Sequence, residues 1–180
     1  MKNKLLSDKK LKTFLIVIVL IVVCVVAFPI DIQIGPYLIG GRYFAKAYDA
    51  YYDNKPIREN IELVGDIATV CVEDYAVYIS HAETLDGNKN LLYFGLMKVK
   101  NNKYHFMGSG ELHDCKSNLE MSDFMRLDTI HGNSIYFTLV YKSVYDSDDI
   151  LKDEKYSMQD IYDSVLDEDL VFVYYYGKTE

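Results

Sequence analysis

The sequence has little of several residue types, and each shortage excludes a class of protein. Its 180 residues include no tryptophan, three prolines and three cysteines. Such numbers exclude a collagen-like chain and a small fold held together by several disulfides. Arginine is also scarce, at 3 residues against 16 lysines, which is typical of AT-rich coding sequences and indicates a low-GC bacterium. The length fits one domain of about 100 to 200 residues and does not fit two.

Basic residues are scarce outside the N-terminus. Residues 1–30 carry five lysines and one aspartate, whereas residues 31–180 carry 14 basic and 26 acidic side chains. Binding to nucleic acid needs concentrated lysine and arginine, so this imbalance excludes nucleic acid as a partner. Anionic lipid headgroups also repel an acidic domain, which we therefore expect to stand off the bilayer.

A long apolar run lies at the N-terminus. All five of the early lysines lie in residues 1–12, and residues 13–30 contain no charged side chain. Eighteen helical residues span about 27 Å, close to the roughly 30 Å hydrocarbon core of a bilayer. The pattern predicts a cytoplasmic tail over residues 1–12 and a single-pass signal-anchor helix over residues 13–30. Because lysines stay on the cytoplasmic side, the C-terminal domain should lie outside the cell membrane.

Two other fates of this segment remain open. It can be a signal peptide cleaved after Ala27, although the run is longer than the 7 to 15 apolar residues typical of such peptides. It can be lipidated at Cys24, although Val23 is larger than the small residue that should precede an acylated cysteine. A buried core helix is disfavoured because the run has no charged face. The sequence therefore favours the uncleaved anchor.

The rest of the chain divides into a short hinge and one domain. Residues 31–41 contain Gly35-Pro36 and Gly40-Gly41 and are predicted to form a juxtamembrane hinge. Residues 42–180 are predicted to form an α+β domain, in which a mostly antiparallel sheet of five to six strands accompanies two or three short helices. Helices are predicted at 43–54, at 117–126 after a capping box of Ser117 and Glu120, and at 157–166 after a Ser157 cap. Strands are predicted at 67–72, 75–80, 91–100, 103–107, 134–141 and 170–176.

One hairpin can be predicted in register. Asn101-Asn102 fits a two-residue type I′ loop, because asparagine tolerates the positive φ that this turn requires. Pairing Lys100 with Lys103 then places Val99 opposite Tyr104, and Met97 opposite Phe106, which gives the hairpin an apolar face.

The candidate catalytic chemistry is sparse. Glu111, His113 and Cys115 alternate, so a strand there would point all three to one face and offer a metal two or three ligands. His113 with nearby acids would then serve a metal-assisted hydrolase. No HExxH or CxxC spacing supports this, and a polar loop after Gly110 is the favoured interpretation. We therefore assign no catalytic, metal-binding or cofactor-binding residue, and expect no cofactor.

One acidic segment resembles a calcium-binding loop in composition but does not match the EF-hand pattern. Its acids are Asp146, Asp148, Asp149, Asp153 and Glu154. The segment lacks the central glycine of an EF-hand loop, and Ser157 stands at the twelfth position, where glutamate is expected. A solvated acidic loop is the favoured interpretation.

Cys71 and Cys115 are the two thiols beyond the anchor. An exported protein can form a disulfide, and this pair would close a loop of about 45 residues. Two cysteines alone do not make a disulfide framework, so Cys71 is predicted to be an ordinary core residue of its strand.

Tyrosine is the most unusual feature, with 17 residues, all of them after the apolar run. Most are explained by a half-buried sheet, which tyrosine suits. In Tyr174-Tyr175-Tyr176, strand alternation sends Tyr175 to the face opposite its neighbours, where it can contribute to an exposed aromatic patch. The predicted function is therefore an acidic extracytoplasmic domain that binds an envelope protein, a peptide or a wall component. An envelope enzyme, such as a metal-assisted hydrolase, is the alternative.

Overall fold

The computed structural model describes residues 13–19, 31–34, 37–40, 42–53, 61–85, 87, 90–130 and 132–178. Residues 13–19 are helical. The remainder of the predicted tail and anchor, residues 1–12 and 20–30, lies outside the described residues. Within the described part of the chain, no helix has both the length and the apolar character needed to cross a membrane.

In the described part of the chain, ten strands and several short helices follow residues 13–19. In chain order they are β1 (Asp31–Ile34), β2 (Tyr37–Gly40), α1 (Ala47–Asp53), β3 (Ile61–Val72), β4 (Tyr75–Thr84), β5 (Leu91–Lys100), β6 (Lys103–Asp114), α2 (Cys115–Glu120), β7 (Met125–Asp128), β8 (Asn133–Tyr141), α3 (Lys142–Ser147), a 3₁₀ turn (Ile150–Lys152), β9 (Ser157–Asp163) and β10 (Glu168–Lys178).

The strands form two four-stranded antiparallel sheets and one two-stranded ribbon. Sheet one has the order β3-β4-β5-β6, sheet two has the order β7-β8-β10-β9, and β1 pairs with β2. The mostly antiparallel α+β character is confirmed. The described residues contain ten strands and not five to six, because β1, β2, β7 and β9 were not predicted as strands. The ribbon lies within residues 31–41, the segment predicted as a hinge, of which residues 35, 36 and 41 lie outside the described residues.

The main core lies between the two sheets. Inward-facing side chains of both sheets form one apolar cluster that contains Phe94 of sheet one and Phe137 and Phe172 of sheet two. The ring centroids of Phe94 and Phe137 are 5.1 Å apart, and those of Phe137 and Phe172 are 5.3 Å apart. The sheets therefore pack face to face, as sandwich sheets do.

Each sheet is also covered on its outer face. Helix α1 packs on sheet one through Tyr51, whose ring lies 5.2 Å from Tyr93 and 5.3 Å from Phe106. On sheet two, Val140, Val171 and Val173 are buried with Leu151 of the 3₁₀ turn, and residues of α3 pack against this cluster. A strand covered on both faces is buried on both faces, so the burial of β4 does not alternate from Tyr75 to Ala82.

The predicted hairpin of β5 and β6 is confirmed in its register. Lys100 pairs with Lys103, and Val99 pairs with Tyr104. Asn101 and Asn102 have φ values of 51° and 56°, as a type I′ turn requires. The strand does not end at 108–110, however. Gly108 has a positive φ of 77°, the pairing register shifts between Gly95 and Met97, and β6 continues to Asp114.

The predicted helix at 157–166 was wrong. Ser157–Asp163 is strand β9, paired with β10, and a turn follows it. The helical stripe is not a buried face, since Met158, Tyr162 and Val165 are 45%, 56% and 59% exposed. Pairing with a buried neighbouring strand therefore overrode the local helical pattern.

The two other helices exist with different limits. Helix α1 begins at Ala47 and not at Tyr43, because Phe44 forms a β-bridge with Tyr104. Helix α2 begins before the predicted capping box. Its N-cap is Asp114, whose side chain accepts a 3.0 Å hydrogen bond from the backbone N–H of Ser117.

Candidate functional site

The structure separates the three candidate metal ligands of the sequence. Glu111 and His113 lie on the inner face of β6, opposite Phe94 and Leu92, and line a cavity of about 400 Å³ beside α2. Cys115 is buried at the start of α2 and does not line this cavity. The polar loop expected after Gly110 is instead the end of β6. Among the residues that the structure describes, no three His, Cys, Asp or Glu side chains converge to hold a metal.

The acidic segment uses its carboxylates in local turns. Asp148 accepts a 2.9 Å hydrogen bond from the backbone N–H of Ile150, and Asp153 accepts a 3.0 Å bond from that of Lys155. The Asp149 side chain is fully exposed. These contacts agree with a solvated acidic loop.

Cys71 and Cys115 are both free thiols. Cys71 is exposed on β3, so the prediction of a core residue there was wrong, and Cys115 is buried. Burial, together with the nearby carboxylates of Asp163 and Asp114, raises the pKa of the Cys115 thiol to about 11. A neutral buried thiol is a poor nucleophile.

A buried polar pair joins the two sheets. His81 Nε2 of β4 lies 2.7 Å from Asp163 Oδ2 of β9, and the two side chains are 7% and 1% exposed. The other carboxylate oxygen accepts hydrogen bonds from the backbone N–H groups of Val165 and Leu166. Because both oxygens have partners and the pair is enclosed, its role is structural.

The strongest candidate for a binding site is an aromatic groove of about 480 Å³ on the outer face of sheet two. The groove lies on the part of this face that α3 and the 3₁₀ turn do not cover. Its lining residues are Phe124, Tyr136, Lys155, Tyr156, Tyr175 and Lys178. We call this surface the aromatic groove.

The floor of the aromatic groove follows from the strand register. Tyr175 of β10 pairs with Tyr136 of β8, which pairs in turn with Arg126 of β7. Directly opposed residues share one face, so these side chains form a row across three strands. The tyrosine centroids are 6.2 Å apart with an interplanar angle of 30°. Tyr175 is 42% exposed, which confirms that alternation sends it outward.

A glycine lets Tyr175 lie flat. A Cβ atom placed on Gly177 would overlap the phenol ring of Tyr175. The ring therefore covers the backbone of residue 177 with one face and leaves its other face toward the groove. A flat, supported ring loses little conformational entropy when a ligand packs on it.

The opposite wall is a stacked aromatic pair. Phe124 and Tyr156 have ring centroids 4.7 Å apart and an interplanar angle of 23°. Both pack against the buried cluster under α3, which holds them in place. Phe124 also lines the cavity that contains His113, so the two cavities adjoin at this residue.

Cations surround these rings. Lys155 Nζ lies 4.7 Å from the centroid of Tyr156, and the Arg126 guanidinium carbon lies 5.9 Å from that of Tyr136. Lys155 also forms a side-chain hydrogen bond with Tyr156. This bond raises the pKa of Lys155, which stays charged. Lys155 and Lys178 line the groove, whereas Arg126 is paired through its Nε with Asp128 Oδ1 at 2.5 Å. The groove therefore presents two lysines on an acidic domain.

Reasoning from the sequence found one member of this site and missed the rest. Tyr175 was singled out by its alternation in a run of three tyrosines. Tyr136 and Arg126 join it only through cross-strand pairing, and Phe124 and Tyr156 join it only through the cover on sheet two. The Lys155-Tyr156 dipeptide was the remaining local signal.

Comparison with protein-family models, with curated proteins and with solved structures gives no match. The function is therefore argued from geometry.

Proposed function

We propose that this protein is a single-pass, membrane-anchored binding protein whose acidic extracytoplasmic domain binds an anionic glycan of the cell wall in the aromatic groove. The observation that carries the proposal is the combination of four aromatic rings, of which Tyr175 is 42% exposed, with two lysines that line the same groove on a domain of the opposite net charge. It is a binding module and not an enzyme.

The rings favour a ligand that stacks. Tyr175 and Tyr136 form the floor of the groove and Phe124 and Tyr156 form its wall. Aromatic rings that carry a polar group pack apolar surface while their hydroxyls hydrogen-bond. The C–H face of a sugar ring matches such a surface, and its hydroxyls match the phenols.

The cations favour a ligand with phosphate or carboxylate groups. Lys155 and Lys178 lie beside the rings, and charge-assisted hydrogen bonds to anions are stronger than neutral ones. The surrounding acidic surface repels anions elsewhere, so a polyanion is directed to this patch.

The backbone beneath the groove favours a glycan over a peptide. Strands β8 and β10 are each paired on both sides, since β8 lies between β7 and β10, and β10 lies between β8 and β9. At Tyr136, β8 is paired with both neighbours, so its backbone cannot pair with an added peptide strand there. The pairing of β10 with β9 ends at Tyr174. A glycan can bind through side chains alone, by packing on the aromatic rings and by contacting the ammonium groups of the lysines.

The membrane attachment is supported by the N-terminal sequence. The lysine-rich residues 1–12 and the uncharged residues 13–30 have the composition of a cytoplasmic tail and a signal anchor. Residues 13–19 are helical and their large apolar side chains are exposed. An exposed apolar helix is stable in lipid.

The binding experiment uses the full chain in neutral detergent micelles and titrates it with a purified anionic wall polymer that contains glycosyl phosphate. Burying about 50 Å² of apolar surface on a ring contributes about 1.3 kcal/mol, so we expect Tyr175→Ala or Tyr136→Ala to weaken binding about tenfold. Lys155→Ala should weaken binding and reduce its dependence on salt. Tyr162→Ala, an exposed tyrosine outside the groove, is the matched control and should bind like the wild type. Binding that is unchanged in both groove variants would overturn the proposal.

The topology experiment is independent of the ligand. A C-terminal reporter that is active only after export should be active on the full chain, and the membrane form should keep the 20.8 kDa mass and resist carbonate extraction. Cleavage would leave Phe28 as the N-terminus, and lipidation would leave Cys24 there. Activity of a cytoplasmic reporter instead would reverse the topology.

A further inference from the structure

The two four-stranded sheets have four edge strands in the described part of the chain, and three of them carry devices that prevent strand addition. Edge strand β3 contains register shifts between Leu63 and Gly65 and between Asp66 and Ala68. Edge strand β6 is paired near its start, where Phe44 and Tyr104 exchange two backbone hydrogen bonds of 2.8 and 2.7 Å. Edge strand β7 is four residues long. Bulges, pairing and shortness all protect an edge.

The fourth edge, β9, has none of these devices. It is seven residues long, pairs with β10 without a register shift, and contains neither lysine nor proline. Residues 157–160 are all exposed. In the described part of the chain, its backbone pairs only with β10. Sheet one approaches β9 at its other end, where Asp163 bonds His81.

The turn that joins β9 to β10 is acidic. Asp167, Glu168 and Asp169 are exposed there, whereas Asp163 is buried against His81. Residues 156–177 contain five acids and no lysine or arginine. Lys142 of α3 lies 2.7 Å from Asp160 and is paired with it. A cavity of about 450 Å³ beside the strand is lined by Lys142, Asp160, Ile161, Tyr162, Asp169 and Leu170. An incoming strand can place a side chain there.

We infer that β9 accepts an extended, basic segment of a partner protein by strand addition, which would extend sheet two to five strands. Main-chain hydrogen bonds on the open side of β9 would supply the pairing, and the acidic hairpin of β9 and β10 would select the positive charge. A second copy of this chain fits less well. Antiparallel self-pairing centred on the middle of β9 places Asp160 opposite its own copy, and like charges in that position repel.

The test uses the full chain in neutral detergent micelles and a synthetic nine-residue peptide of alternating lysine and valine with blocked ends. Hydrogen exchange measured by mass spectrometry should show the amides of residues 157–161 protected when the peptide is added. Two control peptides, one with two valines replaced by proline and one with glutamate in place of lysine, should give no protection.

Matched variants locate the binding. Gln159→Lys adds one positive charge to the open edge and should lower the affinity for the lysine-valine peptide at least fivefold. Asp49→Asn makes the same change in net charge on α1 and should have no such effect. Tyr175→Ala should also bind normally, which separates this site from the aromatic groove.

Several results would overturn the inference. They are a lack of peptide binding, binding without protection of β9, equal binding of the proline peptide, and equal binding by Gln159→Lys. Protection of β9 that rises with protein concentration in the absence of peptide would show instead that a second copy occupies the edge. Since the exchange measurement uses the wild-type chain, it remains decisive even if a variant folds poorly.

Discussion

His81 and Asp163 connect the two sheets through a buried hydrogen bond of 2.7 Å between Nε2 and Oδ2. The residues are 82 positions apart in the sequence. Both side chains are buried, so the loss of either hydrogen-bonding partner is costly. Asp163 Oδ1 also accepts hydrogen bonds from the backbone N–H groups of Val165 and Leu166. One carboxylate thus ties the start of the β9–β10 turn to sheet one.

Asp163→Ala should therefore lower the free energy of unfolding by about 3 kcal/mol, since it leaves buried donors without an acceptor. Urea denaturation measures this, with the fully exposed Asp149→Ala as a control that should show no measurable change. Combining Asp163→Ala with His81→Ala should cost less than the two separate effects together, by at least about 1 kcal/mol. Additive losses would show that the pair is not coupled.

Gly177→Ala should impair the aromatic groove without unfolding the domain. The new methyl group overlaps the ring of Tyr175, which must then leave its flat position. Affinity for the anionic wall polymer should fall as it does in Tyr175→Ala. In a background that already carries Tyr175→Ala, the glycine substitution should have no further effect on affinity. A further loss there would mean that Gly177 acts on something other than the ring.

The turn between β5 and β6 should prefer glycine or asparagine at residue 102, where φ is 56°. An ordinary residue pays about 1–2 kcal/mol for this conformation, so Asn102→Ala should lower the free energy of unfolding by about 1 kcal/mol. Asn102→Gly should leave it unchanged or raise it slightly. Thermal unfolding of the two variants provides the comparison, and equal stability would contradict the type I′ assignment.

The cysteines should differ in reactivity. Because the pKa of the buried Cys115 thiol is about 11, almost none of it is thiolate at pH 8, whereas Cys71 is exposed. Iodoacetamide at pH 8, followed by peptide mass mapping, should label Cys71 and spare Cys115. In urea the Cys115 pKa should return to about 8.5, and labelling should follow. Equal labelling of both thiols in the folded protein would contradict the burial of Cys115.

Local sequence was sufficient wherever the structure depends on neighbouring residues. The turn at Asn101-Asn102 and the pairing of Val99 with Tyr104 were predicted correctly, because two residues of the right backbone preference determine the whole hairpin. The outward position of Tyr175 followed in the same way from strand alternation. The same local rules failed at residues 157–166, where a helical stripe lies in a strand.

The sequence by itself determined the charge distribution, the apolar N-terminal run, the mostly antiparallel α+β character and the β5–β6 hairpin. The tertiary structure alone decided that β9 is a strand, that two sheets enclose the core, and that Tyr136, Arg126 and Tyr175 form one row. The physical reason is distance along the chain. Cross-strand register brings Tyr136 next to Tyr175, and packing of α3 decides which part of sheet two stays open. Neither relation is encoded in residues that are adjacent in sequence.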